Sequence, residues 1–147
     1  MKLKDFDFRV WDGKKYINNI KGGVYIHKIN DHIKCLNRNQ DCYDYEFELD
    51  DLDNSNLEIE LFTGLYDKNG NKIYEGDVIK YVYIFKHELL DKGMIKKLPK
   101  KVSIGCVGID NFLGFRILKN KELQCFMKDI ANIEIIGNIH ENKELLK

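Results

Sequence analysis

The chain has 147 residues, of which 44% are hydrophobic and 12% aromatic, enough to bury a core in one domain or one domain with a modest extension. Its 24 lysines and arginines balance 24 aspartates and glutamates, which excludes a general nucleic-acid binder carrying excess positive charge and leaves that role to a local basic patch. No apolar run reaches signal-peptide length in Met1–Phe8, and stretches such as Tyr81–Phe85 fall far below the roughly 20 residues of a membrane-spanning helix, so the expectation is a cytoplasmic protein with no membrane partner.

Alternation with a period of two dominates the chain. Phe6, Phe8 and Val10 alternate with Asp7 and Arg9, giving a first half-buried strand that Asp12-Gly13 ends. Gly22-Gly23 introduces a second strand, Val24–Ile29, and a polar loop is expected over Asn37–Asp41. Tyr43, Tyr45, Phe47 and Leu49 then alternate with four carboxylates, the pattern of a strand with one wet face. Leu57, Ile59 and Leu61 repeat this with Glu58 and Glu60 expected to point outward.

Thr63–Asp77 is dense in turn signals. Asn69-Gly70 tolerates the positive φ of a tight turn, and Glu75-Gly76-Asp77 marks a second turn before the β-branched, aromatic strand Val78–Phe85. Lys86–Lys92 is read as one or two helical turns, limited by Gly93 and Pro99. Strands are expected near Val102–Ile109, Phe115–Leu118 and Ile133–Ile139, with a turn at Asp110-Asn111 and bends or bulges at Gly105, Gly108 and Gly114. Glu141–Lys147 reads as a short helical or frayed tail. Frequent turns between short strands fit a mainly β fold, a small barrel or sandwich, with little helix.

Three stretches carry a resemblance. The segment from Phe62 to Ile79 combines a Thr-Gly-Leu stretch, an Asp-Lys-Asn-Gly turn and Ile-Tyr-Glu-Gly-Asp before an apolar strand; Phe8–Asp12 reads Phe-Arg-Val-Trp-Asp; Ile133–Asn142 closes the pattern. Together they resemble the YopX family of phage and prophage proteins, with departures at His140 and Lys143 in the tail. The resemblance implies a single YopX-like domain over residues 1–147, with an N-terminal strand region (1–61), an SH3-like small barrel (62–140) and a tail (141–147). It also implies a phage or prophage origin, and it carries no catalytic residue across. The signature residues Thr63, Gly64, Leu65, Asp67, Gly70, Ile73, Tyr74, Glu75, Gly76 and Asp77 have a structural reading of their own. The glycines and aspartates suit turns, and the apolar side chains suit a core.

Chemistry-bearing patterns are sparse. Ser55, Ser103 and Thr63 are the hydroxyl nucleophiles apart from tyrosine, and there is no Gly-x-Ser-x-Gly element or phosphate-cradling loop. His27, His32, His87 and His140 lack metal-site spacing, and Cys35, Cys42, Cys106 and Cys125 form no Cys-x-x-Cys pair and read as reduced, buried thiols. The expectation is therefore no enzyme, no metal and no cofactor.

Charge is segregated. Between Asp41 and Asp67 lie ten acidic residues and no lysine or arginine, whereas Lys92, Lys96, Lys97, Lys100 and Lys101 gather around Pro99. These observations lead to a self-associating protein-interaction module that meets a homo-oligomeric, host or phage partner. The alternative is a small nucleic-acid binder using the Lys92–Lys101 loop with Tyr81, Tyr83 or Phe85 as stacking groups. A nucleic-acid mimic draws on the same carboxylates but is disfavoured by zero net charge.

Overall fold

The computed structural model describes residues 2–17, 24–38, 49–51, 56–84, 88–89, 95–96, 101–110 and 114–147. Within them the chain is mainly β, and its helical content is limited to short 3-10 turns. Two compact units are present: Asp7–Leu61, and Phe62–Lys147 together with Met1–Phe6.

In the Asp7–Leu61 unit, β1 (Phe8–Trp11) pairs antiparallel with residues 58–61 of β5 (Glu58–Tyr66). A separate three-stranded sheet joins β2 (Val24–Ile29), β3 (His32–Arg38) and β4 (Leu49–Asp51). Strand β3 falls where no strand was expected and runs into the expected Asn37–Asp41 loop. Its hairpin turn is Asn30-Asp31, with Asn30 at φ 52°, so asparagine supplies the left-handed turn residue that glycine normally advertises. Val10, Ile17 and Cys35 form the core here, flanked by Phe8, Val24 and Leu57.

In the other unit, residues 62–66 of β5 pair with β6 (Lys72–Tyr74), and β7 (Asp77–Tyr83) lies inside a five-stranded antiparallel sheet. That sheet also contains β10 (Val102–Asp110), β11 (Gly114–Lys119), β12 (Glu122–Phe126) and β13 (Ile130–Asn138), in the order β12-β11-β10-β7-β13. The core is Ile73, Ile79, Tyr81, Val107, Ile117, Cys125, Met127 and Ile130, with Tyr83, Phe115, Ile133 and Ile135 packed on it.

Among the described residues the expected small barrel does not close: β12 and β13 are sheet edges. Beside β13 the Asp67–Lys68 turn takes the place of a pairing strand. Lys68 N–H donates to the Ile133 carbonyl (2.8 Å) and Ile135 N–H donates to the Asp67 carboxylate (3.3 Å). Register shifts within β13 further break the regular ladder that closure would need.

The helical reading of Lys86–Lys92 is corrected at Glu88–Leu89, which form the short strand β8 paired antiparallel with β9 (Ile95–Lys96); the other residues of that segment lie outside the described residues. Gly105 and Gly108 sit inside β10 because space is short: a Cβ at Gly105 would collide with Ile117 Cγ2 and lie 3.2 Å from the Leu118 carbonyl oxygen. The tail ends in a 3-10 turn, Lys143–Leu146, with Leu146 buried.

Candidate functional site

The signature segment is built from turns that knit strands together. Gly64, Gly70 and Gly76 have φ of 82°, 84° and 82°. At Gly76 the turn is tied on both sides: its N–H donates to the Val107 carbonyl (2.8 Å), and its carbonyl accepts from Ile139 N–H (2.7 Å). The buried Asp77 carboxylate accepts from Tyr74 N–H (2.8 Å) and closes the Glu75-Gly76 turn.

Asp67 does the same for the preceding turn, accepting from the backbone N–H groups of Asn69 and Asn71 and from the Asn71 amide. Burial pushes the Asp67 carboxyl up, but these donors and Ile135 N–H outweigh it and hold it below the usual aspartate value. Thr63 Oγ1 donates to the Ile73 carbonyl (2.8 Å) and accepts from Leu65 N–H (3.2 Å). Ile73 is fully buried and Tyr74 packs at 5.7 Å from the Phe62 ring.

The same hairpin borders an open groove of about 670 Å³. From β5 come Thr63, Leu65 and Tyr66; from β11, β12 and the Met127–Asp129 turn come Phe115, Phe126, Met127 and Lys128; from β13 come Ile130 and Ile133. Leu65 is 43% and Tyr66 57% exposed, so two large apolar side chains stand in water beside a mostly apolar hollow. Of these residues, the signature supplies Thr63 and Leu65. The contributions of Phe126 and Met127 were missed because β12 was not read as a strand, although Leu123 and Cys125 alternate with Glu122 and Gln124.

Two residues of the basic patch lie among the described ones. Lys101 is exposed; Lys96 lies in β9; Lys92, Lys97 and Lys100 fall outside the described residues. Tyr81, one of the expected stacking groups, is 1% exposed and cannot receive a base, while Tyr83 is half-buried and Phe85 lies outside the described residues.

The acidic segment is corrected at Glu60. Residues 41–48 and 52–55 lie outside the described residues, and Glu58 is exposed as expected, but Glu60 is 4% exposed and faces inward. Arg9, its cross-strand partner, donates to its carboxylate through Nε, and Tyr16 Oη lies 3.1 Å from the same oxygen. The Arg9 guanidinium stacks 4.6 Å from the Tyr16 ring centre, and Trp11 meets that ring edge-on at 5.0 Å. This buried, paired carboxylate holds β1, β5 and the Asp12–Tyr16 turn together.

Cys35, Cys106 and Cys125 are free thiols, and no group of three histidine, cysteine or acidic side chains among the described residues could hold a metal ion. No helix among them is long and apolar enough to cross a membrane.

The family model for YopX protein matches residues 7–147. The chain belongs to the YopX family. The crystal structure of protein EF1440 from Enterococcus faecalis resembles this YopX chain with a TM-score of 0.55 and 26% identity, covering 97% of this chain and 98% of that one. No curated protein shows significant similarity to it. The YopX match spans the Gly76 and Asp77 turn, the Asp67 turn and the β13 strand that both of them tie.

Proposed function

We propose that this YopX chain is a non-enzymatic binding module, an accessory protein of phage or prophage origin that works in the host cytoplasm and associates with a second copy of itself. The observation that carries this reading is the open apolar groove bordered by the exposed Leu65 and Tyr66. Contiguous apolar surface of this kind on a soluble domain marks a face that a partner covers.

A second copy is the occupant because the chain holds its own charge complement. Apart from the buried Glu60 and Asp67, eight acidic residues crowd Asp41–Asp67, five lysines crowd Lys92–Lys101, and the net charge is zero. Two copies can therefore match opposite patches without a third component. The scarcity of activated nucleophiles supports a binding role over a catalytic one. The open sheet, with its order β12-β11-β10-β7-β13, is read as a relative of the SH3-like barrel that stops short of closure.

Light scattering on the purified chain across a range of salt tests this. The expected result is a concentration-dependent dimer that weakens as salt rises, since the charged segments are screened. A monomer at all concentrations and salts would remove self-association, and capture of one defined host or phage protein by that monomer would move the groove to a different occupant.

A further inference from the structure

The Phe62–Lys147 unit has a second hollow, of about 420 Å³, with a different character from the groove. Lys101, Lys119 and Lys147 line it together with Ser103, Gln124 and Tyr83. The three lysines arrive from separate places: just before β10, at the end of β11, and after the final 3-10 turn. None of their ammonium groups is held in an ion pair among the described residues; the nearest acidic register partner is the exposed Glu122, opposite Lys119. Three lysines border this concavity and no acidic side chain lines it, so the hollow carries a positive potential that an anion relieves.

The neutral groups narrow the anion. Ser103 and Gln124 offer a hydroxyl and an amide, each able to donate and accept. Tyr83 offers a half-buried ring whose orientation is set by an edge-on contact with the buried Tyr81 at 5.5 Å. A phosphate needs the cations, a base needs the ring and the amide, and the hollow lies within the roughly 300–1,000 Å³ range of small-ligand sites.

We propose that this hollow binds a nucleotide phosphate, with Lys101, Lys119 and Lys147 on the phosphate oxygens and Tyr83 against the base. The source is either a free nucleotide or one unit of a single strand. Unlike a site confined to the Lys92–Lys101 loop, this one depends on Lys119.

The test uses the full chain, titrated calorimetrically with ADP and with inorganic phosphate, and by fluorescence polarisation with a labelled oligothymidylate. Wild type is compared with Lys119→Glu and with the milder double variant Lys101→Gln/Lys119→Gln, each checked for an unchanged circular dichroism spectrum. Binding of ADP, weakened about tenfold or more in Lys119→Glu, supports the site with a free nucleotide as source. Binding of the oligothymidylate alone supports it with a strand as source, provided its salt slope falls by about 1 per lysine removed. The proposal is overturned if neither nucleotide probe binds, if binding ignores both variants, or if inorganic phosphate binds as tightly as ADP.

Discussion

Asp67 supplies, from one side chain, the acceptors that a tight turn cannot find in its own backbone. Removing it in Asp67→Ala strands the N–H groups of Asn69 and Asn71 and is expected to cost about 2–3 kcal/mol in urea unfolding. Its carboxyl is held below the ordinary 3.8, so the fold favours the ionised form. The Asp67 contribution is then complete above that ordinary value and is lost as pH falls through the lower folded value. Asp67→Asn should accordingly flatten the acid limb of the stability profile, measured by unfolding at a series of pH values.

Glu134 is also held low, by the hydrogen bond and charge of Lys68, but that pair is well exposed, and Glu134→Gln should leave the unfolding midpoint unchanged. Glu60 is the opposite case. It is buried against Arg9, and Glu60→Ala leaves a guanidinium without its carboxylate, a loss of about 3–5 kcal/mol. In a double-mutant cycle with Arg9→Ala, the paired truncation should cost clearly less than the sum of the two single ones.

Hairpin turns explain which elements were legible and which were not. Asn69-Gly70 announces its turn openly. Asn120-Lys121, which joins β11 to β12, hides one: both residues have positive φ, 51° and 67°, the pattern of a type I′ turn, yet lysine is a poor signal for it. Strand β12 went unread for that reason, and β3 went unread behind Asn30-Asp31 for the same one. Lys121→Gly should relieve the left-handed strain and raise stability by about 0.5–1 kcal/mol, read from the denaturant midpoint.

Gly105 shows the reverse: its position in a strand was legible and its reason was not, because close approach of Ile117 and Leu118 is a tertiary fact. Gly105→Ala should cost about 1–3 kcal/mol through overpacking. Glu60 belongs to the same class. Alternation with Ile59 suggested an outward carboxylate, and only the register of β1 on β5 reveals Arg9 opposite it.

For the whole molecule, the mainly β character and the signature turns could be read from the sequence, while the groove could not. It gathers Leu65 and Tyr66 with Phe115, Phe126 and Ile133, residues far apart in the chain that share no pattern until the sheet is assembled. The signature therefore serves two ends: Gly76, Asp77 and Asp67 fix the hairpin, and the fixed hairpin sets out Leu65 and Tyr66 beside the groove. Sedimentation equilibrium of wild type against Tyr66→Asp tests that claim most directly. Tyr66 is mostly exposed, so the variant should keep its fold by circular dichroism. The expected result is a reversible wild-type dimer and a monomeric Tyr66→Asp at the same concentrations; a wild-type monomer throughout, or a dimer that Tyr66→Asp leaves untouched, would contradict it.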